Sequence, residues 1–504
     1  MQTKVSNLIY KIKKWISPSL FVKCILLLSI LVDFPYVNTF SRKALSVLPL
    51  WGMLIIYLYF STIIKTLRDR KHMLLIAMAF SYGCTILLNY KHNFIQNTKF
   101  LVWFLIYIGI LMIWWKVKEQ KNMNIIYRDI QHMAWIIVVT NMLNVVPSVV
   151  LYCLNILIEF QATRPMGIFG GRLYCLMSGV NAAVMLSVIS IFLGIVLTKH
   201  KENACLWKNV ILFINGLFSY VFIIASGTRS ARVVLAISAG VYFSVIVWKK
   251  IEKRKKSKVA LSIGSGVTGL LCIGLVYAFV VLSRTPIGLL PNMGQEIKQY
   301  IVQTDVSNRN EGEGVSVENN QSTNPNIPLN DMVVLDGGGN DNKVMVREEK
   351  NEELSFQHRI NIWTECLRLL KSYPLFGVGN ANLQVCADNS QEEYKYINIP
   401  PYGASTHSMP VAVLIYSGVV GFAIIFIYFI SKGCNYLSTL LMKCSQNMIE
   451  DGITLVALLV CIAIGVYSMV GTCIMFSNVM LTIIFWICWG LLDMEKERIE
   501  LENS

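Results

Sequence analysis

Apolar runs long enough to cross a bilayer recur along the whole chain, and they limit its fold more than any other feature. They lie near 19–37, 44–64, 73–89, 99–115, 133–158, 174–198, 206–226, 231–248, 259–282, 408–430, 452–472 and 474–492. A helix of about twenty residues spans a hydrocarbon core of roughly 30 Å, and in lipid it satisfies its own backbone hydrogen bonds. With 55% hydrophobic and 15% charged residues among 504, the chain lacks the polar surface to cover so many helices in water. The expected fold is an all-α integral membrane protein with about twelve transmembrane helices. The first, which carries Lys23 and Asp33, has the weakest apolar run.

The formal charge of +15 raises the question of nucleic acid, but the basic residues sit in short loops between apolar runs. They fall at Lys4 to Lys14, Lys65 to Lys71, Lys116 to Arg128, Lys199 to Lys208, Lys249 to Lys258, and Lys432 with Lys443. An excess of Lys and Arg in alternate loops reports orientation. The lipid bilayer is therefore the expected partner, nucleic acid is not, and both termini are placed in the cytoplasm. No small-residue cleavage site follows the first apolar run, so no cleavable signal peptide is expected. The thirteen cysteines are scattered, mostly inside apolar runs, and no Cys-x-x-Cys pair suggests a metal. Cys366 and Cys386 lie together outside the runs, where free thiols are favoured over a disulfide.

This orientation divides the chain into helices 1–9 within 1–282, a large extracytoplasmic loop at 283–407, helices 10–12 within 408–492 and a cytoplasmic tail at 493–504. The loop has two parts. Residues 305–353 are rich in Asn, Gly and acidic side chains, too polar to bury a core, and are expected to be a disordered, tolerated insertion. Over 355–385 the composition changes to an amphipathic helix, in which Ile360, Trp363, Leu367 and Leu370 give an apolar stripe. Pro374 ends it, and Gly377 and Gly379, followed by Asn380, allow a sharp turn whose N–H groups could meet an anion.

Arginine is out of place on the outer side by the same topology bias. Arg164 and Arg172 flank one outward loop, Arg229 and Arg232 stand at the start of a span, and His358 and Arg359 begin the amphipathic helix. A single arginine at a bilayer boundary ordinarily snorkels to the headgroups. Their grouping points instead to an anionic ligand at lipid level, because a guanidinium binds phosphate bidentately and stabilises charge developing on a leaving group. His407 lies where the loop re-enters the bilayer. A histidine there is commonly a structural hydrogen bonder, yet its ordinary pKa near 6.5 also suits a general base for a hydroxyl.

These stretches resemble the O-antigen ligase and O-antigen polymerase superfamily of bacterial envelope glycosyltransferases. Thr228-Arg229-Ser230-Ala231 is similar to the family's Ser-Arg-Gly-Ala element. Arg359, Trp363 and Pro374-Leu375-Phe376-Gly377-Val378-Gly379-Asn380 are similar to its Arg, Trp and Pro-Leu-Phe-Gly-x-Gly signature. His407 with Gly418-Val419-Val420-Gly421 is similar to its His-Asn followed by Gly-Leu-Ile-Gly. The similarity extends over about 160 to 490 by this reading. Ser408 stands where the family often has Asn, and Gly170-Gly171-Arg172 replaces an Asn-Pro-Asn-like run.

The resemblance implies a C-type glycosyltransferase core in the bacterial cytoplasmic (inner) membrane, with its active site on the outer face. The donor would be an undecaprenyl-diphosphate-linked oligosaccharide, with chain-length regulator and flippase proteins as partners. By this carry-over Arg229 and Arg359 hold the diphosphate and His407 activates the incoming sugar hydroxyl or orients the site. Arg164, Arg172, Arg232, His358, Gly377, Gly379 and Asn380 contribute to substrate binding. No Asp-x-Asp occurs in the outer segments, so the expected chemistry is metal-independent and needs no cofactor. Polymerase and ligase share this machinery and differ in acceptor, and the Lys/Asn/Ile-rich composition favours polymerase. A flippase or transporter, for which about twelve spans is a common count, and an inert envelope scaffold are the readings from other classes.

Overall fold

The computed structural model describes residues 17–35, 37–69, 72–116, 123–159, 165–169, 172–199, 206–252, 258–294, 333–336, 350–390, 393–397, 406–445, 452–475 and 480–502. The first half holds helices α1 (Pro18–Leu31), α2 (Asn38–Leu58), α3 (Phe60–Leu67), α4 (Met73–Leu88), α5 (Phe94–Ile106), α6 (Met123–Cys153), α7 (Val180–Lys199) and α8 (Leu206–Ala225). The second half holds α9 (Arg229–Glu252), α10 (Lys258–Leu282), α11 (Lys350–Leu370), α12 (Leu383–Asp388), α13 (Met409–Ser445), α14 (Ile453–Ser468) and α15 (Met480–Glu502). The protein is mostly helical, and among the described residues seven helices are long and apolar enough to cross a membrane. Every apolar run read from the sequence contains a helix, although four of these, including α1 and α14, are shorter than a full span.

One departure from an all-helical chain is a small antiparallel sheet of β1 (Ile156–Glu159), β2 (Pro165–Phe169), β3 (Arg172–Tyr174) and β4 (Val333–Asp336), in the order β3-β2-β1-β4. Phe169 pairs with Arg172 across the β2–β3 ladder, which fixes the register of that arginine. The region 305–353, expected to be disordered, lies outside the described residues apart from β4 and the first turn of α11.

The charges that weaken the first apolar run have partners. Lys23 Nζ lies 2.7 Å from an Asp129 carboxylate oxygen, whose other oxygen accepts from Ser19 Oγ at 2.6 Å. The Asp33 carboxylate accepts from Ser178 Oγ at 3.1 Å. A buried charge is tolerated in a helix bundle when it is paired and hydrogen-bonded in this way.

Two ends of the bundle follow from such contacts. At one, the first turns of α6 meet the end of α15 through Arg498 and Tyr127, and Lys432 of α13 lies 2.8 Å from Asp493. His72 Nε2 joins them, 2.8 Å from Asp493. At the other, Asp33 meets Ser178, and Asn89 at the end of α4 donates to the Gly377 carbonyl at 3.2 Å. Helix α4 runs between His72 and Asn89, so these are opposite ends. Between them α13 and α15 interlock through aromatic side chains: Trp489 Nε1 donates to Tyr428 Oη at 2.9 Å, and its ring meets Phe429 edge-on at 5.2 Å.

Candidate functional site

Helix α11 lies across the α4 and α13 end of the bundle, but on a different face from the one its larger side chains suggest. Ile362, Cys366 and Leu369 are buried, whereas Leu367 is 48% exposed and Ile360, Trp363 and Leu370 are only partly covered. The stripe is rotated by roughly one residue, about 100° on a helix. Glu365 explains the shift: its buried carboxylate accepts the backbone N–H groups of Lys395, Tyr396 and Ile397 at 2.8–3.0 Å, tying the following loop to that face. Cys366 and Cys386 are buried free thiols.

The stretch after α11 is stitched into a break in α13. Gly418 interrupts that helix with φ +68° and ψ −174°, which turns backbone groups outward. Val378 N–H donates to Ile415 O at 2.9 Å and Gly379 N–H to Tyr416 O at 3.0 Å. In return Val419 N–H donates to Pro374 O at 2.9 Å and Val420 N–H to Leu375 O at 3.2 Å. A Cβ on Gly377 would lie 2.4 Å from Ile415 O, and one on Gly418 would lie 2.2 Å from Leu375 O. Backbone approaches backbone here at a distance that only glycine permits.

This corrects the expectation that Gly377, Gly379 and Asn380 offer N–H groups to an anion. Gly377 N–H bonds to Tyr373 O, Gly379 N–H to Tyr416 O, and Asn380 N–H to Tyr82 Oη at 3.1 Å. The next amide, of Ala381, donates to Asn97 Oδ1 at 2.9 Å. The signature closes the loop onto α4, α5 and α13.

The candidate side chains form two groups at this same end. The first is His358, Arg359 and His407. Trp363 Nε1 donates to Thr406 O at 2.8 Å, which fixes the residue before His407. His407 itself has φ +48°, a left-handed conformation that costs a non-glycine residue energy and recurs at functional sites. Its ring is exposed at the rim, yet desolvation by the surrounding protein, then the charges of Arg359 and His358, lower its pKa below the ordinary histidine value. Neutral imidazole is the state this favours at neutral pH. His358 is packed edge-on against Tyr396 at 5.5 Å. Tyr467, at the end of α14, lies within the field of Arg359.

The second group surrounds the turn that starts α9. Arg172, presented by β3, donates from Nε to Ser226 O at 2.9 Å, and Arg232 donates to Gly227 O at 3.2 Å. Gly227, at φ +68°, makes the turn between them. Thr228 Oγ1 bonds Asn181 Oδ1 at 3.4 Å and so ties the turn to α7. Arg232 is 7% exposed, its Nε is buried without a hydrogen-bond partner, and it lies in the field of Arg284, Arg229 and Arg172. No carboxylate among the described residues forms an ion pair with Arg232 or Arg284. Guanidinium groups gathered in this way repel one another unless an anion sits among them.

Helix α9 packs against both α13, which begins two residues after His407, and α14, which carries Tyr467. The structure thus places Arg359, His358 and His407 together, and Arg172, Arg229 and Arg232 together, at one end of the bundle. Arg164 lies outside the described residues. Arg284 and Tyr467 were missed by sequence reasoning, although Arg284 carries the same signal as its neighbours: an arginine directly after an apolar run on the outward side. Among the described residues no three His, Cys, Asp or Glu side chains group to hold a metal ion.

No curated protein matches the chain. A family model described as O-antigen ligase matches residues 214–426, a stretch that contains the α9 turn, α11, the glycine closure and His407. The match supports the resemblance of this stretch to the O-antigen ligase and polymerase superfamily.

Proposed function

We propose that the protein is a metal-independent glycosyltransferase of the bacterial cytoplasmic membrane that polymerises undecaprenyl-diphosphate-linked oligosaccharide repeat units into a surface polysaccharide. In this reading the arginine-bearing end of the bundle faces away from the cytoplasm. The observation that carries it is Arg232: a buried guanidinium with an unpartnered Nε, among Arg172, Arg229 and Arg284, is built for an anion of more than one charge. A lipid diphosphate presented at the membrane surface has that charge.

The chemistry is a single displacement. The acceptor sugar hydroxyl oxygen attacks the anomeric carbon of the donor, and the bond from that carbon to the diphosphate oxygen breaks. The electron pair leaves with the lipid diphosphate, where Arg229, Arg232 and Arg359 stabilise it. The hydroxyl proton passes to the neutral imidazole of His407, which its lowered pKa keeps ready to accept it. Arg172, held on Ser226, and Arg284 complete the positive field.

A second reading, transfer of the lipid-linked glycan to another acceptor such as lipid A core, is favoured by the description of the matching family model. Incubation of the purified protein with one lipid-linked repeat unit separates the two. A ladder of longer chains formed without any added acceptor supports polymerisation, and product formed only with lipid A core supports ligation. Absence of any new glycosidic bond under both conditions contradicts both.

A further inference from the structure

A cavity of about 870 Å³ opens between α1, α2 and α5, apart from the arginine site. One wall is apolar, with Leu45, Leu50, Met53, Val102 and Trp103. Arg42 and Lys99 also line it, and neither forms an ion pair with a carboxylate among the described residues. The hydroxyls around it are already occupied by their own helices: Ser29 Oγ donates to Leu26 O, Ser46 Oγ to Lys43 O and Thr98 Oγ1 to Phe94 O, at 2.6–2.8 Å. Asp33, the one acid in the lining, accepts from Ser178. The lining thus carries two cations and one carboxylate, a net positive charge.

The cavity sits at the same end as the candidate site, because Asp33 joins Ser178 near the start of α7, and the opposite face of α5 presents Asn97 to Ala381. It opens on the flank of the bundle, where Leu50 and Ile95 are 73% and 70% exposed. An apolar trough beside two cations has the shape and charge of an amphiphile with an anionic head. The net positive charge of this lining favours a headgroup of net negative charge over a zwitterion, whose own cation would cancel the attraction.

We propose that this cavity binds an anionic phospholipid of the surrounding bilayer, with its phosphate between Arg42 and Lys99 and an acyl chain along Leu45, Leu50 and Met53. The site is separate from the proposed catalytic one and does not depend on the reaction assigned there.

The test uses the full-length protein in nanodiscs that mix phosphatidylglycerol with phosphatidylcholine, and native mass spectrometry counts the lipids retained on release. Phosphatidylglycerol is expected to be retained in preference. The Arg42→Gln/Lys99→Gln chain is expected to retain at least about tenfold less of it, the scale of losing one charge-assisted contact. Leu50→Trp, which obstructs the trough and leaves both cations in place, lowers retention as well. Equal retention of the two lipids, or wild-type retention by the double variant, overturns the proposal. So does a polyprenyl phosphate that displaces phosphatidylglycerol and is not displaced by it, because that outcome assigns the cavity to a lipid carrier.

Discussion

The indole N–H of Trp363 donates to the carbonyl of Thr406 at 2.8 Å, so a side chain on α11 sets the backbone position of the residue that precedes His407. In the proposed mechanism Trp363 is a positioning residue. Trp363→Phe keeps the ring volume close and removes the donor. It is expected to lower kcat about tenfold, on the scale of a lost hydrogen bond to a buried carbonyl, while KM for the lipid-linked donor changes little. A rise in KM with kcat unchanged would assign the tryptophan to substrate binding instead.

His407 gives the reaction its pH dependence. Its folded pKa is depressed below the ordinary value by desolvation and by Arg359 and His358, so the imidazole is neutral at pH 7 and the rate falls only as pH drops through that lowered pKa. Arg359→Gln removes a positive neighbour, stabilises the imidazolium and moves the acid limb to higher pH. Measured rates between pH 5 and 8 on both proteins check the sign. A limb that shifts downward, or does not move, separates the proton transfer from this pair.

Gly377 and Gly418 bring two backbones into contact, and both have positive φ, at +67° and +68°. Alanine at either position would place its Cβ less than 2.5 Å from a carbonyl oxygen. Gly377→Ala or Gly418→Ala is therefore expected to destabilise the protein by about 2 kcal/mol or more. A lowered thermal midpoint of the detergent-solubilised protein is the readout. Donor affinity measured at a temperature where the variant is folded should be largely preserved, since the amides of this loop are bonded within the protein.

At the opposite end, Lys432 is 1% exposed and lies 2.8 Å from the Asp493 carboxylate, which also meets His72. Lys432→Met leaves that carboxylate buried beside a histidine alone and is expected to cost about 3 kcal/mol. The double variant Lys432→Met/Asp493→Leu should recover part of that loss. Additive thermal shifts in the double-mutant cycle would show that the two groups do not interact.

Much of this architecture was legible in the sequence because hydropathy reports burial in lipid directly: every apolar run became a helix. Arg229, Arg232 and Arg359 also stood out, as positive charge where topology disfavours it. What failed were inferences that needed a partner. The stripe of α11 was read from its largest side chains, but Glu365 holds the loop at 395–397 and turns another face inward. The glycine signature looked like an anion nest because the break in α13 at Gly418, which takes up the Val378 and Gly379 amides, lies more than thirty residues further along the chain. Arg284 follows an apolar run as Arg229 precedes one, and only the fold brings it beside Arg232.

The most direct test of the account is the single-turnover rate of sugar transfer from a lipid-diphosphate donor by Arg229→Gln relative to the wild-type protein. Both preparations must share one thermal midpoint. Loss of one guanidinium that stabilises the departing diphosphate predicts a rate lower by about a hundredfold to a thousandfold. A rate equal to wild type would contradict the claim that this arginine group binds the leaving diphosphate.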